Sequence, residues 1–291
     1  MSNKPKRAIS RRDFLKVGGA GVAGFAGVAG LRRLVPEKAG AMEHAQNQEH
    51  QDGDHGAMTT VGRVDHERNG FHPGELLYDF DYGTVTEENG RTVREWTLLA
   101  VDHEVEIAPG VFFPGWLYGS PTSAPSRRAG QVVGQVPGPT LRCVEGETLR
   151  VHFTNAGSHP HTIHFHGIHS ATMDGVPGIG AGMLSPGQSF TYEFEARPFG
   201  CHLYHCHAIP LKRHIHKGLY GAFIVDPDPE RYSGAAQEAA RSRNHQYPEN
   251  EDVNEMVIVM NAFDTNFDGE NEVYAANSIA FAYMHEPIQI R

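Results

Sequence analysis

Several stretches of the chain alternate apolar and polar residues, most clearly residues 148–154 and 189–195. A period of two is typical of half-buried β-strands. Proline and glycine turns separate these stretches, and many short strands joined in this way predict two packed sheets. We therefore expect an all-β main domain, a Greek-key β-sandwich. Residues 229–241 break the alternation and predict a short surface helix.

The N-terminal part has a different pattern. A twin-arginine sequence at residues 10–16 is followed by a glycine-rich apolar run over 17–30. This pattern predicts a twin-arginine export signal over residues 1–41, and its apolar run is too short to favour a stable membrane span. Residues 42–73 are polar and contain scattered His and Met, so we expect a disordered tether. The protein is expected in the periplasm or at the cell surface.

Composition limits the possible partners. The chain has 291 residues, of which 39% are hydrophobic, enough for one sizeable core. Its formal net charge is −10, and residues 1–41 are strongly basic, so the exported part is more acidic still. Nucleic acid is therefore excluded as a partner. An acidic surface suits a cationic reductant, a metal ion or a basic electron donor, although solvated acidic faces without a partner are common.

The most informative residues are six histidines and a cysteine in two short stretches. They are His161, His164, His166, His205, Cys206, His207 and His214. On a strand, alternate side chains share a face, so the paired histidines of each stretch point the same way and Cys206 points the opposite way. A thiolate with two imidazoles suits a blue-copper centre, and clustered imidazoles suit further copper ions. We therefore predict copper as the cofactor.

Supporting motifs at residues 135–142, 145–155, 173–177 and 185–187 accompany these ligands. Together they resemble the first domain of multicopper oxidases over about residues 74–228. The resemblance implies a plastocyanin-like, cupredoxin-like sandwich in which His161, Cys206 and His214 hold type 1 copper. It also implies that His164, His166, His205 and His207 are ligands of a trinuclear type 2/type 3 cluster, which receives electrons through His205-Cys206-His207.

The loop after Cys206 departs from the laccase pattern. His214 lies eight residues after the cysteine, as in copper nitrite reductases, with His216 as the fallback ligand. The axial methionine position of those enzymes is Leu219 here. A non-coordinating axial leucine favours a raised reduction potential. His164 and His207 favour an oxidase cluster over nitrite chemistry, because nitrite reductases carry an aspartate and a non-histidine at these positions.

The cluster ligands are incomplete in this chain. The resemblance implies that a trinuclear cluster lies between two domains, yet only one domain supplies its histidines here. Residues 229–291 contain the surface helix and two apolar runs that look like the lead-in strands of an incomplete second cupredoxin domain. We expect the missing ligands to come from a homo-oligomer or a second cupredoxin subunit.

The predicted function is that of a laccase-like multicopper oxidase. A phenol, an aromatic amine or a metal ion would give up single electrons at the type 1 copper, and the cluster would reduce dioxygen to water. Without a second domain, the chain is expected to be inactive alone. The alternatives are a non-catalytic cupredoxin for electron transfer or copper sequestration, and a nitrite reductase-like subunit.

Several neighbouring residues are left without a ligand role. His159, His169, His202 and His216 are interpreted as histidines that support the site or lie at the surface. Asp174 is interpreted as part of a turn beside the site, with no direct chemical role. Cys143 and Cys201 are either a disulfide or two separate thiols, because sequence does not show whether their Cβ atoms are close.

Overall fold

The computed structural model describes residues 63–245, 247, 255–269, 271, 273–277 and 279–280. The predicted export signal and residues 42–62 of the predicted tether lie outside these residues. Among the described residues, no helix combines the length and apolar character needed to cross a membrane.

Strands outnumber helices in the described part of the chain. The α-helices are α1 His66–Asn69, α2 Pro73–Leu76, α3 Ala124–Ala129, α4 Leu211–His216 and α5 Gly234–Arg241, and 3-10 turns lie at Ala171–Met173 and Pro229–Arg231. The strands are β1 Phe80–Asp81, β2 Thr84–Glu88, β3 Arg91–Ala108, β4 Val111–Gly119, β5 Gly138–Val144, β6 Thr148–Asn155, β7 His164–Phe165, β8 Ser189–Glu195, β9 Gly200–His205, β10 Tyr220–Asp226, β11 Met260–Phe263, β12 Val273–Ala276 and β13 Ile279–Ala280.

Two five-stranded sheets form the main body of the described residues. One has the order β2-β3-β6-β8, with β4 pairing on β3, and the other has the order β1-β5-β10-β9-β7. Most pairs are antiparallel, but β3 pairs with β6, and β5 with β1 and β10, in parallel. Side chains of both sheets share one buried cluster, in which Trp96 of β3 contacts Phe223 of β10 with ring centroids 5.9 Å apart. The predicted all-β sandwich is confirmed.

Strand β6 shows how the alternation builds this core. Leu149, Val151 and Phe153 are fully buried, whereas the residues between them face outward. Arg150 is one of these outward residues, and it pairs with Glu95 of β3 and Glu193 of β8, the two neighbouring strands. A shift of one residue would exchange the two faces, so burial fixes the register of the strand.

Residues 63–73 differ from the predicted tether. They contain α1, and Phe71 is fully buried in a second apolar cluster with Val105 and Phe113. The side-chain amide of Asn69 donates to the carbonyl of Glu106 (2.9 Å) and its oxygen accepts the Glu106 N–H (2.8 Å). The buried Phe71 ring and the two Asn69–Glu106 hydrogen bonds therefore hold this segment against the sandwich, although its polar composition predicted disorder.

The described C-terminal strands join the same second cluster. Strands β11, β12 and β13 form a small antiparallel sheet, and Phe263, Val273 and Ala275 are buried against the cluster that contains Phe113. Helix α5 lies within residues 229–241, where the sequence predicts a surface helix. The assignment of residues 229–291 to an incomplete second domain stays a prediction.

Cys143 and Cys201 are separate thiols. Cys143 of β5 pairs with Val225 of β10, and Cys201 of β9 pairs with Ile224 of the same strand. Since β10 lies between them, their Cα atoms are roughly 9–10 Å apart by the usual strand spacing. A disulfide spans less than about 7 Å between Cα atoms, so of the two alternatives the separate thiols are correct.

The alternation of β6 leads to a stability prediction. We expect Phe153→Ala to lower the free energy of unfolding by about 3–5 kcal/mol, because it leaves a cavity in the core. Thr154→Ala on the opposite face of the same strand is the control and should cost less than about 1 kcal/mol. Urea unfolding of the full chain measures both, and equal losses would contradict the described register.

Candidate metal centre

Three possible metal ligands meet in the interior of the sandwich. His161 and His214 place their Nδ1 atoms 3.2 Å apart, and the Cys206 Sγ lies 3.4 Å from the His214 Nδ1 and 4.0 Å from the His161 Nδ1. All three residues are buried. His161 precedes β7, Cys206 follows β9, and His214 lies on α4. The structure therefore brings together the three residues that sequence predicted as type 1 ligands.

Backbone hydrogen bonds hold this geometry. The Cys206 N–H donates to the Leu219 carbonyl (3.0 Å), and the Leu219 N–H donates to the His214 carbonyl (3.3 Å). These bonds close the loop between the cysteine and its histidine. His161 is fixed by a reciprocal pair of bonds with Leu184, at 3.0 and 2.9 Å. Leu219 is fully buried beside the loop.

The electrostatic surroundings favour neutral imidazoles. Burial, reinforced by the neighbouring His214, lowers the pKa of His161 to about 3. Burial likewise lowers the pKa of His214 to about 4, with smaller contributions from His159 and Arg213. Burial raises the pKa of the Cys206 thiol, while the Thr162 N–H, 3.4 Å from Sγ, acts in the opposite direction. A bound cation would therefore be what holds Cys206 as a thiolate.

The donor set itself tests which metal fits. Two imidazole nitrogens and one cysteine sulfur converge, with no carboxylate among them. A His2Cys set is the trigonal arrangement of blue copper, whereas hard cations take oxygen ligands. Copper therefore fits this group of residues.

Trp116 was not singled out by sequence, yet it contacts both histidines. Its ring lies 5.3 Å from the His161 ring and 4.8 Å from the His214 ring, centroid to centroid. The backbone N–H of Trp116 donates to the Lys217 carbonyl (2.9 Å), and this bond joins β4 to the end of the cysteine loop. A tryptophan in an apolar strand carries no sequence signal that separates this position from an ordinary core residue.

The four other predicted ligands form a second cluster. His164 of β7 pairs directly with His205 of β9. The His164 ring lies 5.1 Å from the rings of His166 and His205 and 5.2 Å from that of His207, and the His166 Nδ1 lies 3.4 Å from the His205 Nε2. Donor atoms of His164, His166 and His205 all lie within 4.8 Å of one another. The His207 ring contacts the rings of His164 and His205, but His207 is not among the three histidines whose donor atoms converge. The strand alternation thus places Cys206 in one group and directs its two neighbours towards the other.

Asp174 and His169 lie directly against this second cluster. The His164 Nδ1 is 2.8 Å from both the backbone carbonyl and a carboxylate oxygen of Asp174, and the His169 Nε2 is 3.3 Å from that oxygen. The interpretation of Asp174 as a turn residue without a chemical role was incomplete. A carboxylate that is hydrogen-bonded to one ring nitrogen orients the histidine and leaves its other nitrogen free to bind a metal. Closeness in sequence alone does not show this contact.

The remaining histidines have other contacts. The His159 ring contacts Trp116 in a tilted arrangement with centroids 4.3 Å apart, and the Nε2 of the half-buried His202 lies 2.8 Å from the Pro198 carbonyl oxygen. His216 lies at the end of α4 and is not part of the group around Cys206. The structure thus brings His214, and not the fallback His216, to the cysteine.

Comparisons with known proteins agree with this geometry. The family model for multicopper oxidase matches residues 116–230. A laccase of Aspergillus fumigatus is 39% identical over 121 residues, which are 40% of this chain and 20% of the laccase. A copper-containing nitrite reductase of Neisseria meningitidis is 40% identical over 96 residues, 32% of this chain and 24% of that enzyme.

A solved structure gives a longer match. A crystal structure of a multicopper oxidase is 50% identical, with a TM-score of 0.60, and the match covers 75% of this chain and 65% of the other. The chain spans about a fifth to a quarter of the length of the two enzymes named above. Residues 116–230, which contain both histidine groups and Cys206, therefore match the multicopper oxidase family.

Proposed function

We propose that this chain is the electron-accepting part of a laccase-like copper oxidase. In this proposal His161, Cys206 and His214 hold type 1 copper, where a phenol, an aromatic amine or a metal ion gives up single electrons. Bound copper supplies one-electron redox chemistry at this centre and the reduction of dioxygen to water at a trinuclear cluster. The observation that carries the proposal is that Cys206 belongs to one histidine group while its two covalent neighbours belong to the other.

The backbone between the two groups supports an electron path. His205 and His207 are one peptide bond away from Cys206 on either side, so the path from Sγ to each imidazole is covalent throughout. The His205 Nδ1–H also donates to the Cys206 carbonyl (3.0 Å). This bond gives a second route and leaves the His205 Nε2 as the nitrogen for a metal.

Thr162 links the same two groups. Its N–H points at the Cys206 Sγ, and its hydroxyl oxygen accepts the His207 N–H (2.8 Å). Thr162 is fully buried next to His161 in sequence. It therefore holds a ligand of each group at a fixed separation, as efficient electron transfer requires.

The second cluster needs further ligands. His164, His166, His205 and His207 are half of the set that a trinuclear cluster takes in the proposed mechanism. The other half would come from a second cupredoxin domain or subunit, or from a second copy of this chain. We include export by the twin-arginine pathway to the periplasm or cell surface in the proposal, on the basis of residues 1–41.

A second candidate function is a non-catalytic cupredoxin for electron transfer or copper sequestration. It is favoured by the fact that the described residues hold only one face of the cluster. A nitrite reductase-like subunit has support from the 40% identity to the Neisseria enzyme. His164 and His207 count against it.

Quantitative EPR with total copper and oxygen uptake tests the proposed function. On the copper-loaded full chain we expect a type 1 signal, a type 2 signal and additional EPR-silent copper, with oxygen uptake when a phenol is added. Two chains sharing one cluster would hold about five copper ions, since a symmetric pair supplies each ligand twice. Cys206→Ser should abolish the type 1 signal because it removes the thiolate.

His216→Ala is the matched control for Cys206→Ser, since His216 lies on α4 outside the cysteine group. It should keep the type 1 signal, whereas His214→Ala should lose it. A lone type 1 signal at about one copper per monomer, without oxygen uptake, would favour the cupredoxin alternative. Nitrite consumption in place of oxygen uptake would favour the third candidate.

The buried Leu219 leads to a prediction about the reduction potential. A leucine offers no axial ligand, so we expect Leu219→Met to lower the type 1 reduction potential by about 60 mV, a tenfold change in the electron-transfer equilibrium. Leu149→Met, in the core away from the centre, is the control. A redox titration followed by the blue absorption measures both, and an unchanged potential in Leu219→Met would show that position 219 is not axial.

The contact between Asp174 and His164 leads to a prediction about copper loading. We expect Asp174→Asn to weaken copper binding at the second cluster by about 10–100-fold, because the carboxylate no longer orients the imidazole. The type 1 signal should stay. Competition with a chelator, read by EPR, measures the two sites separately. Asp228→Asn is the control, and equal affinities in the two variants would remove Asp174 from the cluster.

A further inference from the structure

A cavity lies beside the type 1 group, between α4 and residues 264–269. Its volume is about 520 Å3. Cavities of roughly 300–1,000 Å3 with apolar walls and a few polar groups are typical of small-molecule sites. Phe113 and Phe267 supply aromatic walls, and Lys212, Arg213 and Lys217 supply cations. Among the predicted ligands only the fallback His216 lines this cavity, and the type 1 group lies immediately behind its wall.

Two contacts connect the cavity wall to the metal group. Arg213 is the covalent neighbour of His214, and its guanidinium carbon lies 5.4 Å from the Trp116 ring centroid. The Lys217 Nζ lies 5.7 Å from the same ring. Since Trp116 contacts both His161 and His214, a molecule in the cavity is separated from the group by about one layer of side chains.

Lys217 is a buried cation that faces this space. The residue is only 7% exposed, and its Nζ donates to the Pro114 carbonyl at 2.8 Å. Its other contacts are aromatic: Nζ lies 4.1 Å from the Phe267 ring centroid and 5.3 Å from that of Phe113. Among the described residues no carboxylate lies within ion-pair distance of it, and Asp102 acts on it only at longer range. A buried charge is costly without a counter-charge, so an anion in the cavity would stabilise it.

The cations that line the cavity outnumber its carboxylates. Asp264 is buried and accepts the backbone N–H groups of Asp268 (3.2 Å) and Gly269 (2.8 Å), so its charge is directed at its own loop. Asp268 is exposed. Three cations therefore face two carboxylates, in a chain whose formal net charge is −10. The cavity differs in sign from the whole molecule.

We propose that this cavity binds an anionic aromatic reductant, for example a phenol that carries a carboxylate. Lys217 and Arg213 contact the anionic group, and Phe267 packs against the ring. This specificity replaces the cationic reductant expected from the overall charge, because exposed charges more than about 8 Å away are largely screened at physiological salt. The role as a reductant rests on the proposed function, whereas binding of the anion does not.

Isothermal titration calorimetry on the copper-loaded full chain tests the proposal. The probes are 4-methoxybenzoate, 4-methoxybenzyl alcohol and 4-methoxybenzylamine, which share one ring and differ in charge. We expect the anion to bind at least about tenfold more tightly than the alcohol, and the amine to bind most weakly, because cations surround the site. Lys217→Gln should weaken binding of the anion about tenfold and leave the alcohol unchanged.

Further variants keep the test independent of folding. Arg213→Gln and Phe267→Ala change exposed residues. Arg213→Gln should weaken binding of the anion alone. Phe267→Ala should weaken binding of both the anion and the neutral alcohol, because it removes the aromatic wall. Arg197→Gln, an exposed arginine away from the cavity, is the control. Equal affinities for the three probes, no binding of any probe, or unchanged anion binding in both Lys217→Gln and Arg213→Gln would overturn the proposal.

Repeating the titration on copper-free chain separates this inference from the proposed function. Selective anion binding without a type 1 signal in the loaded protein would contradict the proposed function and leave the anion site standing. A type 1 signal without anion selectivity would contradict the anion site and leave the proposed function standing.

Discussion

The alternation of side chains at the end of strand β9 is the constraint on which the candidate centre depends. It directs Cys206 to the buried face and its two histidine neighbours to the other, so that one stretch of backbone serves two groups. The direct pairing of His164 with His205 then positions strand β7, which carries the first histidine pair of the cluster, beside β9. The Cys206 to Leu219 hydrogen bond returns the chain to the sandwich after the loop. A shift of one residue in β9 would exchange the groups and destroy both.

The surroundings of the buried group suit a soft metal and exclude water. Its imidazoles are neutral because burial makes their charged forms costly. Trp116 covers both rings, and Leu219 fills the loop without offering a ligand atom. A dry site of this kind limits reorganisation when charge changes, which is the property that the proposed electron transfer needs. Thr162 contributes rigidity, since it bonds to both sides of the backbone path.

The fold and the opposite orientations of Cys206 and its two histidine neighbours could be predicted from local periodicity, whereas His161 and His214 were assigned through the resemblance to multicopper oxidases. The burial of alternate residues in β6 and the pairing of histidines around Cys206 are consequences of a period of two. The residues that were missed act through contacts that periodicity does not encode. Asp174 approaches His164 through a turn, and Phe71 docks a polar segment that composition predicted to be disordered. The separation of Cys143 and Cys201 likewise depends on the sheet order, because β10 inserts between their strands.

The overall charge of the chain and the charge inside the cavity differ in the same way as composition and local contacts do. The formal charge of −10 describes the field far from the surface, where it steers approaching molecules. Inside a cavity the nearest groups dominate, since Coulomb energy falls with distance and a low-dielectric wall strengthens it. Lys217 lies among aromatic rings with one carbonyl as its hydrogen-bond acceptor, and Asp102 acts on it only at longer range, so its charge is only partly neutralised. An acidic protein can thus contain a cationic cavity, and in the proposed function these few residues, instead of the overall charge, select the class of reductant.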